Sequence, residues 1–386
     1  MSIQGRFSNG HVVQKGQKCP FEKRPQKDKG GIKLTELLKL IAPGTPIRDG
    51  LENILRAKTG ALLLITDNND VIKEIVDGGF YINEEYTASR LYELAKMDGA
   101  IVLSGDLKRI LFANAQLIPS RDIETRETGT RHRTAERTAK QTGELVISIS
   151  QRRNIITIFK GNFRYILEDT NAVLNKANQG IQTLERYKKV FDNKLSILNE
   201  YEFNDIVTLK NVIDVIQRAE MVRRIADEIR RQIYELGNDG RLVNMQLEEL
   251  MGGLEKEETL IVKDYLAPIK GKKKRTTEKV MEELSTSQYE EMTKEGIIAK
   301  LLGYETFDNY DEVGVYTRGY RILNKIPRMP SNIVENLVLS FKSFQHILAA
   351  DIESLDEVDG IGEVRARTIK QSLRRMQEQF MFDNLI

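Results

Sequence analysis

The chain has 386 residues, 40% apolar and 30% charged, which is material for two or three cores at roughly 150 residues per domain and too much charge for a membrane bundle. Its 59 Lys and Arg nearly cancel 57 Asp and Glu, so contact with nucleic acid has to come from local patches and not from a global field. One cysteine, Cys19, and three histidines, His11, His132 and His346, exclude disulfide scaffolds, Cys-ligated structural zinc and His clusters.

Met1 to Gly31 carries seven Lys or Arg against two acids and few large apolar residues, a composition that cannot offset the entropy of ordering. Residues 1–31 are expected to be a flexible basic tail, and composition leaves open whether that tail touches nucleic acid or is a loosely docked arm. Met1 to Lys18 lacks the apolar stretch of a secretory signal, and no apolar run approaches the ~18 residues of a spanning helix. A cytoplasmic protein with no membrane partner is expected.

From Ile32 to about Lys160, helical and strand spacings alternate. Leu34, Leu37, Leu38 and Ile41 share a helical stripe. Thr45 before Pro46 is an N-cap with proline at the first helical position, opening a helix through Leu51, Ile54 and Leu55. Ala61 to Thr66 reads as a buried strand ending in the turn Asp67-Asn68-Asn69-Asp70. Thr87 caps a helix over Leu91, Leu94 and Ala95, and Ile101–Ser104, Ile110–Ala113, Leu145–Ser150 and Ile155–Phe159 are further strands. Mixed helices and strands of this length imply an α/β domain, a sheet flanked by helices, over 32–162. No proline falls between Pro119 and Pro268, and between Gly161 and Gly237 the only glycine is Gly180. Leu184, Tyr187, Val190, Phe191, Leu195 and Leu198, then Val212, Ile213, Ile216, Met221, Ile225, Ile229 and Ile233, recur at three and four, which predicts an all-α spine over 163–318. Lys270–Arg275 is almost continuous positive charge and reads as a loop. Residues 319–386 are rich in basic residues and short helices.

Two motifs carry chemistry in the first domain. Thr128-Gly129-Thr130-Arg131-His132-Arg133-Thr134 precedes a helical stretch, Ala135 to Thr142, that stops at Gly143. Free amides at a helix start and bidentate guanidiniums suit a polyphosphate, although Arg-His-Arg alone is also found as a solvated patch. Asp98-Gly99-Ala100 puts a carboxylate where a helix turns into an apolar strand, but Asp-Gly recurs at Asp49, Asp77, Asp239 and Asp359 and then means only a tight turn. At the other end of the chain, Leu355-Asp356-Glu357-Val358-Asp359-Gly360-Ile361-Gly362-Glu363-Val364-Arg365-Ala366-Arg367 has the form of a helix-hairpin-helix turn. Without Cβ, Gly360 and Gly362 let the backbone on either side of Ile361 approach a phosphate. Arg365, Arg367 and Lys370 are placed to neutralise neighbouring phosphates without reading sequence. The upstream segment Ile322–Phe341 repeats the helical spacing with Pro327-Arg328-Met329-Pro330 at its turn, and is expected to pack and not to bind.

Met97-Asp98-Gly99-Ala100-Ile101-Val102-Leu103 together with Gly129-Thr130-Arg131-His132-Arg133-Thr134-Ala135 resembles the diadenylate cyclase domain. The flanks Leu91–Lys96 and Ala135–Gly143 resemble its DNA integrity scanning branch, the DisA family, and the likeness covers most of 32–160. That family carries a helix-hairpin-helix module behind a helical spine, the order found here, and only residues 1–31 fall outside the pattern.

The resemblance implies condensation of two ATP molecules into cyclic di-AMP with release of two pyrophosphates, with Mg²⁺ or Mn²⁺ as the metal. Asp98 would activate the attacking hydroxyl directly or through the metal, and Gly99 and Ala100 would bring main chain close to the nucleotide. Leu117 would pack near the adenine. Thr130, Arg131, His132, Arg133 and Thr134 would hold phosphates, His132 contacting phosphate, helping with metal or orienting its neighbours, and Ser150 would be a further pocket contact. Because the reaction needs two antiparallel ATP copies, the smallest competent unit is a face-to-face dimer; the family is octameric. Branched DNA lowers cyclase output in the family, which implies a DNA partner and nucleoid association. A non-enzymatic alternative is an oligomeric DNA-junction binder whose first domain uses nucleotide only for assembly.

Overall fold

Ala61–Ile65 and Ala100–Leu103 are apolar throughout, Leu145–Ser150 is broken by Ser148 and Ser150, and in the computed structural model of the chain the three form the buried centre of a mixed sheet. The structure describes residues 34–267 and 275–383; the expected tail over 1–31, with Cys19, and most of the Lys270–Arg275 loop lie outside them. The elements in order are α1 (Leu34–Leu40), α2 (Pro46–Arg56), β1 (Ala61–Ile65), α3 (Asn69–Ile75), β2 (Val76–Asp77), β3 (Phe80–Glu85), α4 (Ala88–Leu94), β4 (Ala100–Leu103), β5 (Arg109–Leu117), α5 (Thr130–Thr142), β6 (Leu145–Ser150), β7 (Ile155–Lys160) and β8 (Phe163–Leu167). Helices follow: α6 (Thr170–Asn204), α7 (Leu209–Leu236), α8 (Arg241–Met251), α9 (Leu254–Tyr265), α10 (Thr277–Thr286), α11 (Tyr289–Met292), α12 (Glu295–Leu302), α13 (Tyr320–Leu323), α14 (Ser331–Phe341), α15 (Phe344–Ala349), α16 (Ile352–Asp356) and α17 (Glu363–Asp383). The expected class, an α/β domain followed by a largely helical region, is the one observed.

The described residues divide into two compact units, each discontinuous in sequence: 34–190 with 221–254, and 191–220 with 255–267 and 275–383. The sheet belongs to the first, in the order β2-β5-β4-β1-β6-β7-β8 with β3 also on β5. Only β1 and β4 run parallel; the other pairs are antiparallel. Side chains alternate between faces along a strand. Leu63, Ile65, Ile101, Leu103, Ile147 and Ile149 meet Leu38, Ile41, Leu51, Ile54 and Leu91 from α1, α2 and α4. On the opposite face Leu62, Leu64, Val102 and Val146 meet Val71 and Ile75 of α3 and Ala135 and Ala139 of α5. Burial on both faces is why β1 and β4 are apolar runs and not alternating ones.

Several boundaries moved for local reasons. The expected turn at Asp67–Asp70 is a helix start, with the Asn68 side chain accepting from Asp70 N. The sheet also continues beyond residue 162: Gly161 at φ +55 turns β7 into β8, which pairs Lys160 with Phe163. In the same unit Gly180 of α6 lies against α7, where a Cβ would come within 2.8 Å of Ile229 Cγ1.

The second unit has a helical core in which Ile322, Leu323, Ile333 and Leu337 from α13 and α14 pack with Leu355, Val358, Ile361, Ile369 and Leu373 from α16, its following turn and α17. Arg321 is wholly buried there and donates to Asn199 Oδ1 at 2.6 Å and to Glu202. Asp264 accepts the backbone N–H groups of Tyr320 and Arg321 at 2.7 and 2.9 Å. Among the described residues no helix is long and apolar enough to cross a membrane.

Candidate active site

The strand registers bring the motif residues to one end of the sheet. Leu63 pairs with Ile101 and Ala61 with Ile149, so β1 and β4 begin where β6 ends. Ala100 pairs with Ala115, which brings the end of β5 to the same place. Asp98 and Gly99 therefore stand at the mouth of β4, Leu117 closes β5, and Ser150 closes β6. Asp98 is exposed. Gly99 has φ +92, and a Cβ on it would sit 2.7 Å from Ala115 O, so the approach of β5 under this turn requires glycine. The register shift between Ala100 and Val102 and the positive φ of Asn114 mark the irregularity that makes the approach possible. Ala100 and Leu117 have buried side chains in the core, so what they present at this end of the sheet is backbone.

Helix α5 begins at Thr130, five residues before the expected start, so the Thr-Arg-His-Arg-Thr run is the first turn and a half of the helix itself. Its N-cap is Gly129, with no side-chain cap, and the first backbone bond runs from Arg133 N to Gly129 O. The N–H groups of Thr130, Arg131 and His132 thus have no intrahelical acceptor, at the positive end of a 13-residue helix. Thr130 and Arg133 are exposed, and Thr134 is half-buried. Arg131 is half-buried, with its guanidinium where a Cβ on Gly60 would fall, beside Ile149 O. Gly60, just before β1, leaves the room that Arg131 occupies.

His132 is only 3% exposed. Nδ1 lies 3.1 Å from Ser148 Oγ and Nε2 3.3 Å from Thr157 Oγ1, with the Phe159 ring edge-on. Ser148 and Thr157 are paired across β6 and β7, so the ring pins the first turn of α5 to two strands. Burial pushes the imidazole below its ordinary value; Glu127 opposes this, and Arg153 and Arg164 add to it. With both ring nitrogens bonded to strand hydroxyls, the side chain faces the sheet, and the residue presents only its backbone N–H at the helix start.

The long loop before α5 is strapped to the helix. Glu136 accepts from Arg126 N at 3.1 Å and from Thr125 Oγ1, and pairs with Lys140 at 2.8 Å. Arg137 and Lys140 donate to the carbonyls of Ile123 and Glu124. Burial alone would raise the Glu136 carboxyl, but the bonds from Lys140, Thr125 and Arg126 outweigh it and hold it below the usual carboxylate range. Ser150 Oγ accepts Arg153 N at 3.2 Å within the β6–β7 turn.

No group of three or more His, Cys, Asp or Glu among the described residues is placed to hold a metal ion. A single exposed carboxylate, Asp98, fits an ion that arrives with its nucleotide, since Mg²⁺ takes one or two carboxylates and fills its shell with phosphates and water. A cavity of about 490 Å³ lies at the opposite end of the sheet, lined by Leu37, Ile65, Asp67, Glu144 and Lys160. It offers no arginine, the helix start in its lining, that of α3, is capped by its own Asn68, and Asp67 and Glu144 add negative charge, so it does not suit a triphosphate.

In the second unit, the α16–α17 turn has Gly360 at φ +82, with a Cβ position 2.6 Å from Ile333 Cδ1. Ile361 is buried and plugs the core. A Cβ on Gly362 would meet nothing within 4 Å, so that side is open. The exposed Arg365 donates to Gly360 O, Arg367 pairs with Glu363, and Lys370 donates to Leu348 O at 2.8 Å. Lys370 therefore closes the end of α15 instead of standing free. The Pro327–Pro330 turn lies between α13 and α14, whose apolar faces are in the core.

A sheet end with an uncapped helix start, arginines and the exposed carboxylate of Asp98 has the makings of a nucleotide-binding α/β domain. A family model described as DisA bacterial checkpoint controller nucleotide-binding matches residues 48–163, and one described as its linker region matches 167–310. The chain is 56% identical over 349 residues to the DNA integrity scanning protein DisA of Clostridioides difficile, covering 90% of this chain and 96% of that one. It is 52% identical over 362 residues to that of Clostridium botulinum strain Loch Maree, covering 94% and 100%, and 51% identical over 351 residues to that of Acetivibrio thermocellus, covering 91% and 96%. The chain belongs to the DisA family of diadenylate cyclases.

Proposed function

We propose that the protein condenses two ATP molecules into cyclic di-AMP at the sheet end described above, and couples this to non-sequence-specific binding of branched DNA through the α16–α17 turn. The observation that carries the reading is that strand register brings Asp98-Gly99, the end of β5 and Ser150 to one end of the sheet, and that Arg131 beside Gly60 and His132 against Ser148 and Thr157 bring the uncapped start of α5 to them. In each half-reaction a 3'-oxygen attacks the α-phosphorus of the other ATP in line; the bond to the β-phosphate oxygen breaks and pyrophosphate leaves. Asp98 draws the proton from the attacking hydroxyl and would hold the Mg²⁺ or Mn²⁺, which supplies charge neutralisation at the phosphates. Arg131, Arg133, Thr130, Thr134 and the free N–H groups of α5 hold the triphosphate, and Ser150 flanks it. His132 fixes the helix start on which this depends. One chain presents one ATP, so two protomers meet face to face, and the octamer is built from such dimers.

Purified protein given ATP and Mn²⁺ is expected to yield cyclic di-AMP by chromatography. Asp98→Asn should lower the rate at least a hundredfold, on the general scale of acid–base catalysis, with DNA binding retained. Well-assembled wild type without product would reject the proposal and leave the DNA-junction binder as the reading.

A further inference from the structure

Glu127 is a buried carboxylate, with its side chain 6% exposed, two residues before the N-cap of α5. An acid beside an anion site weakens phosphate binding by repulsion, so a site shaped only for binding has no use for it there. Its geometry supplies a use. Oε1 accepts Arg164 Nε from β8 at 2.6 Å, and Oε2 accepts Arg153 Nη2 from the β6–β7 turn at 3.4 Å. Its own backbone N–H donates to Thr125 Oγ1 at 3.1 Å. The same Arg153 donates its backbone N–H to Ser150 Oγ. One carboxylate therefore ties β8, the last strand of the sheet, to the turn beside the site and to the loop that leads into α5.

We propose that Glu127 is a positioning residue of the cyclase site: through Arg164 and Arg153 it fixes the β6–β7 turn, with Ser150, against the loop that presents the start of α5. This rests on the cyclase reading above. Glu127 does not touch substrate. It holds two walls of the phosphate site in register, which matters because two bound nucleotides must align within a fraction of an ångström for in-line attack. Glu127 itself is out of water, where a carboxylate is tolerable only while its partners stay in place.

The test uses the full chain with ATP and Mn²⁺, wild type beside Glu127→Gln, Arg164→Gln and the double variant. Measured are kcat and KM for cyclic di-AMP formation, thermal melting, and non-hydrolysable ATP analogue bound per protomer. Each single variant is expected to bind analogue at wild-type stoichiometry, with KM rising less than threefold and kcat falling tenfold to a hundredfold, the scale on which about 1 Å of misplacement acts. The double variant is expected to fall no further than the worse single, because the two groups act as one unit. Unchanged kcat in both singles, or multiplying losses in the double, would overturn the proposal. Should Glu127→Gln lose analogue stoichiometry or melt early, Arg164→Gln decides, its side chain being 41% exposed: a wild-type kcat there also overturns it. Inactive wild type sinks the cyclase reading and this proposal together, whereas active wild type with unaffected variants sinks only the role of Glu127.

Discussion

His132 lies in an arginine-rich first turn, yet its ring faces the sheet, held by Ser148 and Thr157. The unfolded chain takes up a proton near the ordinary histidine value of 6.5, while the folded ring, depressed by burial, resists it. Stability is therefore lost as pH falls through 6.5 toward the lower native value, by up to about 1.4 kcal/mol per pH unit. Melting temperatures at pH 7.5 and 5.5 should fall further for wild type than for His132→Gln; parallel falls would remove His132 from the account. Its orientation was legible in part. His132, Ala135 and Ala139 recur at three and four along α5 and are all buried, and Ser148 and Thr157 interrupt apolar strands at paired positions. The partners of Glu127 were not legible, because Arg153 and Arg164 lie 26 and 37 residues away and nothing local ties them to it.

At the level of elements, the α16–α17 turn separates two jobs of glycine. Gly360 needs its positive φ and its closeness to Ile333, whereas Gly362 faces open space. Gly360→Ala should cost about 1–2 kcal/mol of stability from the backbone alone and weaken DNA binding as well. Gly362→Ala should leave melting unchanged and lower DNA affinity about tenfold, the scale of one charged hydrogen bond; melting curves and DNA titrations separate the two. If Gly362→Ala binds DNA as wild type does, the turn is a packing element. This turn was readable because its sequence states a backbone requirement. β3 was not, since Phe80–Glu85 is largely exposed at the sheet edge and lacks the alternation of a half-buried strand. For β8 the sign is in the sequence: Gly161-Asn162 between two apolar runs is a two-residue hairpin.

For the molecule as a whole, the proposed reaction, with one ATP presented by each of two protomers, predicts that activity depends on assembly. Specific activity should fall on dilution at the concentration where sedimentation shows dimers separating, and full activity in monomers would refute the two-protomer reaction. The division of the chain into an α/β part and a helical part could be read from periodicity, but the interleaving of the units could not, because an uninterrupted helical pattern does not say which core each turn joins. α6 and α7 each supply residues to both units, and the chain passes between them at 190/191, 220/221 and 254/255. Residues 1–190 produced as a fragment would lack Glu235, which receives the Tyr165 hydroxyl and the Glu168 N–H, and would leave the end of β8 without its counterpart on α7. Isolating either half calls for a rewired gene, with new termini and an artificial join across the missing insert, instead of a stop codon.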